Sequence, residues 1–71
     1  MNTYLLPVCD QDSLYIESVT ANDLEDAKAK FMNVICETYS YIDPALEWID
    51  FLNDLADHEI YLGEIYDKDE F

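Results

Sequence analysis

Read for its apolar and polar positions, the chain moves between two periods. Tyr4 to Val8 is a short apolar run that predicts a strand. Pro7 removes a ladder donor there and directs the segment to a sheet edge or an early end. After the polar connection Cys9 to Ser13, Leu14 to Val19 alternates. Leu14 and Ile16 share one face and Tyr15 and Glu17 the other, the period-two pattern of a half-buried strand. The two runs together predict a hairpin. From Asn22 onward the spacing changes: Leu24, Ala27, Phe31, Val34 and Ile35 recur at threes and fours and predict a helix that begins near Asp23. Asn22 is the expected cap, with Glu25 reaching back to it in a capping box. Thr38 to Ile42 reads as a connection whose tyrosines pack against the sheet or a second helix.

The stretch Asp43 to Asp57 predicts that second helix, of about four turns. Asp43 is a good N-cap, and Pro44 suits the first helical position because its missing N–H was unpaired there anyway. At about 100° per residue, Ala45, Trp48, Ile49, Leu52, Leu55 and Ala56 gather on one side. Asp43, Glu47, Asp50, Asp54 and Asp57 gather roughly opposite. Glu59 to Tyr66 returns to alternation and predicts a third strand, Ile60 and Leu62 facing opposite to Tyr61 and Ile65. Gly63 in its middle marks a bulge or a close approach by other backbone. Residues 66–71 are expected to be a frayed tail.

The order ββααβ predicts an α+β fold: a three-stranded antiparallel sheet with two amphipathic helices packed on one face, as a single domain over 1–71. The sheet's other face would then carry tyrosines and few charges, an exposed aromatic surface suited to an interface or a homodimer contact.

Composition changes the picture through charge. With 51% apolar and 14% aromatic residues in 71, there is enough side chain for one core, near the size at which one core only just suffices. The net charge of −14 comes from 17 acids against Lys28, Lys30 and Lys68, with no arginine. Such a surface repels nucleic acid and anionic lipid, so neither nucleic acid nor membrane is an expected direct partner, and a basic protein is. Solubility requires far less charge. Cys9 and Cys36 form no CxxC pair; one disulfide between them is the alternative to the preferred reading, reduced thiols of a cytoplasmic protein. The start MNTYLLPVCD lacks the charged and apolar regions of a signal peptide, and no run approaches the ~20 apolar residues of a membrane span.

Catalysis is not expected. His58 is the sole histidine and is better placed to end the second helix; there is no glycine-rich loop, and carboxylates need a shaped pocket to shift their pKa values. Asp10 with Asp12, or Asp67, Asp69 and Glu70, offer oxygen ligands, but neither run is a calcium loop. No metal site or cofactor is expected.

The acids themselves divide. Asp23, Glu25 and Asp26 crowd the first turn of the first helix, where the dipole favours them, and lysines follow. The second helix has no such account. Its like-charge pairs at three and four residues each cost a few tenths of a kcal/mol with no lysine between them. Over roughly 21 Å, five carboxylates fall about 5 Å apart, a spacing of the order of that between phosphates on a nucleic-acid strand. The candidate partner-binding residues are therefore Asp43, Glu47, Asp50, Asp54 and Asp57, extended by Asp67, Asp69 and Glu70. Tyr61 and Tyr66 would supply apolar contact where bases would lie.

In size, in charge and in the acidic face Asp43, Glu47, Asp50, Asp54 and Asp57, the chain resembles the small acidic anti-defence proteins of phages and mobile elements that act as DNA mimics against restriction enzymes or CRISPR effectors. The segment LYIESVTANDLEDAKAKF also looks like a strand-then-helix unit common in small phage proteins. The resemblance implies a non-enzymatic inhibitor that occupies the basic nucleic-acid-binding surface of a defence nuclease or other DNA- or RNA-binding protein in the host cytoplasm. The other reading of the same residues is a small interaction or regulatory module that docks through its aromatic sheet face, the acid serving solubility.

Overall fold

In a computed structural model that describes residues 1–70, an antiparallel sheet of four strands is covered on one face by two helices. β1 (Asn2–Asp10) is its central strand. β2 (Ser13–Ala21) pairs with it without a slip from Asn2↔Ala21 to Asp10↔Ser13, and the connecting turn is only Gln11 and Asp12. α1 (Leu24–Thr38) and α2 (Trp48–Asp57) follow. β3 (Ile60–Leu62) and β4 (Tyr66–Asp67) then share the other edge of β1, β3 against Val8–Asp10 and β4 against Tyr4–Leu5.

The α+β class and the helix pair follow the reading of the sequence; the sheet differs in three respects. First, the predicted third strand over Glu59 to Tyr66 is two short strands separated by residues 63–65. Ile60 and Leu62 face the core and Tyr61 faces away, but Ile65, released from the strand, turns back to pack on the core. Second, Pro7 lies inside the central strand and β1 continues past it to Asp10. The Pro7 carbonyl accepts the Gly63 N–H at 2.9 Å. Its absent donor therefore points to the same side, into the gap between β3 and β4. Gly63 approaches closely there: a Cβ on it would lie 3.2 Å from Pro7 Cβ and Cγ. Third, residues 66–70 of the expected frayed tail form β4 and a 3-10 turn beside β1. Asn2 Nδ2 donates to Asp67 Oδ2 at 3.0 Å, the Thr3 N–H reaches Asp69 Oδ2 at 3.4 Å, and Lys68–Glu70 form a short 3-10 turn. Phe71 lies outside the described residues.

α1 is capped one residue later than expected, at Asp23. Asp23 Oδ1 accepts the Asp26 N–H at 2.8 Å, and Asp26 Oδ2 in return accepts the Asn22 N–H at 3.1 Å, so the reciprocal capping uses Asp23 and Asp26 in place of Asn22 and Glu25. That Asn22 amide, ahead of the Lys30 charge, lowers the Asp26 carboxyl below its ordinary value. Ala27, Phe31, Met32 and Ile35 are buried, while Leu24 is exposed.

α2 is shorter than expected. Asp43 does not cap it: its Oδ1 accepts the Ala45 N–H at 2.9 Å, a local turn that Pro44 favours, and Glu47 is extended at φ −71°, ψ 160°. A helix continuous from Pro44 would aim Leu46 away from Phe51, five positions on, and the break at Glu47 lets Leu46 pack against the core instead. The buried stripe is Phe51 and Leu55, with Trp48 half-buried beside them; Ile49, expected inside, is 70% exposed. Ala45 is off the helix. The core is then Tyr4, Leu6 and Val8 of β1 under Phe31, Ile35, Phe51, Leu55 and Ile60. Among the described residues, no helix is long and apolar enough to cross a membrane.

Candidate interaction surfaces

The structure sorts the acids by what they do. Asp23 and Asp26 cap α1, and the two lysines that follow are taken up locally: Lys28 Nζ lies 3.5 Å from Glu25 Oε1 and Lys30 Nζ 3.5 Å from Asp26 Oδ2. Lys28 also sits over the Trp48 ring, 5.9 Å from its centroid. Asp10 accepts the Tyr39 hydroxyl at 2.6 Å. Among the proposed binding residues, Asp67 and Asp69 hold the tail to the start of β1, and Asp67 Oδ1 accepts the Asp69 N–H at 2.9 Å. Those two carboxylates have a structural reason to be where they are. Glu70 belongs to the 3-10 turn that they anchor.

Of Glu47, Asp50, Asp54 and Asp57, the first two stand at the N-terminal end of α2, where the dipole favours them, and the last two have no such reason. Among the described residues, no lysine or histidine lies within ion-pair distance of any of the four. The four recur at intervals of three, four and three from the residue before α2 to its last, a rise of roughly 15 Å. With Phe51 and Leu55 facing the core, these acids occupy one flank of the helix, and Leu52, Ile49 and Ala56 occupy the other. Asp54 is half-buried, at the side of α2 turned toward α1, and Asp50 and Asp57 are exposed.

Asp43, though displaced from the helix, returns to the same flank. Burial first, and then the charges of Asp43 and Asp54, push the Cys36 thiol of α1 above its ordinary value, so both carboxylates act on one sulfur. The acidic flank therefore continues from α2 onto the connection that precedes it. At its far end His58 caps the helix: its Nδ1 lies 2.9 Å from the Asp54 carbonyl, which it serves as donor, and its ring packs on Tyr41 at 4.6 Å between centroids. The last turn of α2 carries no lysine or arginine, so Asp54 and Asp57 face the negative end of the helix dipole uncompensated.

Tyr61 and Tyr66 are not brought to this flank. Their register opposite Cys9 and Leu5 places them on the sheet face away from the helices. That face also carries Thr3, Leu5, Pro7 and Cys9 of β1 and Leu14, Ile16, Ser18 and Thr20 of β2. No strand residue on it is charged. It is more aliphatic than the tyrosine-bearing surface expected from the sequence, because Tyr4 and Tyr15 point inward. A hollow of about 270 Å³ lies on it between Pro7, Cys9, Leu14, Tyr61 and Gly63. The molecule thus has two distinct surfaces, one of unpaired carboxylates and one without charge. The signal for the second was present in the sequence as the alternation Leu14, Ile16, Ser18, Thr20.

Cys9 and Cys36 are free thiols, the first on the uncharged sheet face and the second on α1. Among the described residues, no three histidine, cysteine or acidic side chains converge as metal ligands would. Compared with protein-family models, curated proteins and solved structures, the chain finds no match.

Proposed function

We propose that this chain is a non-enzymatic inhibitor that binds the basic nucleic-acid-binding surface of another protein, a defence nuclease of the CRISPR-effector or restriction class, with the acidic flank of α2 in place of a phosphate backbone. One observation carries the reading: Glu47, Asp50, Asp54 and Asp57 share a flank of α2 with no ion-pair partner among the described residues, and the Asp50/Asp54 and Asp54/Asp57 pairs each cost the helix a few tenths of a kcal/mol. A charge arrangement that weakens its own helix and is not taken up by the fold is one suited to a partner's lysines and arginines. Asp43 extends the flank; Asp67, Asp69 and the sheet tyrosines fall outside this contact.

The test is to change Asp50, Asp54 and Asp57 together to Asn. Removing like charges relieves α2, so the variant is expected to be at least as stable as wild type, and loss of binding cannot then be assigned to unfolding. Association with the basic partner should weaken at least tenfold and lose most of its salt dependence, since steering by charge is screened as the Debye length falls from about 10 Å to about 3 Å. Bound inhibitor should exclude nucleic acid from the partner. Undiminished binding by the triple variant would sink the proposal.

The uncharged sheet face supports a second reading, a module that docks through that face with the acid serving solubility. Under it, Tyr61→Asp abolishes partner binding, the triple Asn variant does not, and nucleic acid is not displaced.

A further inference from the structure

The two helices run in the same direction. Lys28, early in α1, lies over the ring of Trp48, the first residue of α2, and Tyr41, just past the end of α1, packs on His58, the C-cap of α2. Both C-termini, and with them the negative ends of two helix dipoles, therefore converge toward Tyr41. Neither last turn carries a lysine or arginine, and that of α1 adds the exposed Glu37. The three lysines stand toward the other end of the molecule. Lys30 meets the Thr20 carbonyl opposite Thr3, Lys28 lies at the start of α2, and Lys68 follows the β4 residues that pair with Tyr4 and Leu5. Tyr39, by contrast, ties the end of α1 to Asp10 at the far end of β1.

Tyr41 is an exposed aromatic ring at this lysine-free end. His58 packs on it at 4.6 Å between centroids and Tyr39 meets it edge-on at 6.1 Å, yet it remains 57% exposed. The other exposed tyrosines, Tyr61 and Tyr66, lie on the uncharged sheet face. Three carboxylates stand by Tyr41: Asp43, two residues on in the same connection; Asp54, whose carbonyl holds His58; and Asp57, next to His58 in the chain. Among the described residues none of the three has an ion-pair partner. Asp43 and Asp54 both act on the Cys36 thiol, which puts them on one side of α1.

We infer that Tyr41 seats an arginine side chain of the basic partner, its guanidinium against the open side of the ring and its N–H groups directed to Asp43 and Asp54. The inference rests on the reading of the α2 flank as the contact with that partner and names what the contact selects. Charge complementarity sets the sign of the occupant: the carboxylates, the two helix C-termini and the ring all attract a cation and repel an anion. Planarity selects arginine over lysine. A guanidinium stacks on a ring and still donates in its own plane to carboxylates, whereas an ammonium is a compact, more strongly hydrated charge.

Titration calorimetry of the whole chain with deca-arginine and decalysine peptides, at ~0.1 M salt, tests the seat. Wild type should bind deca-arginine roughly threefold or more tightly than decalysine, and Tyr41→Leu should remove that preference by weakening deca-arginine alone. Unchanged decalysine binding then shows that the variant is folded. Tyr41→Phe, which keeps the ring, and Tyr61→Leu, on the sheet face, should both bind as wild type does. Tyr41→Leu that weakens both peptides equally, or neither, overturns the inference. Changing Asp50, Asp54 and Asp57 together to Asn tells this failure from that of the underlying reading. If the triple variant weakens both peptides while Tyr41→Leu does nothing, the acidic flank stands and the arginine seat falls; if it weakens neither, both fall.

Discussion

The hydroxyl of Tyr39 donates to Asp10 Oδ2 at 2.6 Å, and Tyr15 Oη lies 3.1 Å from Tyr39 Oη, so that the residue ending α1 is tied to the last residue of β1 and to Tyr15 of β2. Burial first, and then the bonds to Asp10 and Tyr15, raise the Tyr39 phenol above its ordinary value of 10.0. The folded state therefore holds this proton more tightly than the unfolded chain. The stability that follows is complete below pH ~10 and is lost as the pH rises beyond it. Tyr39→Phe should lower stability by about 1 kcal/mol near neutral pH and flatten the decline above pH ~10. Urea unfolding at both pH values checks this, and an alkaline decline unchanged in the variant would assign it to other groups.

Among the described residues, two other than glycine adopt positive φ, Gln11 at 49° and Glu59 at 63°, and the Gln11 N–H donates to the Glu59 carbonyl at 3.4 Å. Gln11 is the first of two residues in the β1–β2 turn, where a primed turn requires this conformation. Glu59 follows the C-cap of α2 in the left-handed position usually given to glycine. The left-handed region costs an ordinary residue about 1–2 kcal/mol, offset in part by the unfolded-state entropy that glycine adds. Gln11→Gly and Glu59→Gly should each raise stability by up to about 1 kcal/mol, with alanine giving no gain, as measured by thermal unfolding.

Glu47 occupies the N-cap of α2 without a side-chain bond to the helix. Aspartate at this position has the reach to accept a first-turn amide, so Glu47→Asp should stabilise the protein by about 1 kcal/mol at unchanged charge. If Glu47 serves a partner through charge alone, binding by this variant stays within a few-fold of wild type. Circular dichroism melts and a binding titration read the two effects separately.

Cys36 reports on the acidic flank. Its thiol is raised by burial and by Asp43 and Asp54, which keeps it protonated and slow toward alkylating reagents, since the thiolate is the nucleophile. Cys9 is exposed and should alkylate first. Asp54→Asn should speed Cys36 alkylation several-fold near pH ~8 while leaving Cys9 unchanged; equal rates in both proteins would show that Asp54 does not face Cys36.

The sequence by itself determined the class of the fold, the two helices and the β1–β2 hairpin, because helical and strand periods are local properties of apolar spacing. It also determined that the second helix carries acids for which no cation is available, since the three lysines are few and two of them follow the acids of α1. Tertiary structure alone decided where α2 begins. Asp43 and Pro44 are as good a helix start as local chemistry offers, and they lose to Leu46, which reaches the core only if the helix breaks at Glu47. It decided that Pro7 is tolerated in a central strand, because a gap between β3 and β4 happens to face its missing N–H, a relationship spanning more than fifty residues. The same long-range pairing drew Asp67 and Asp69 into the fold. It also put the tyrosines on the opposite face from the α2 acids, dividing one candidate surface into two.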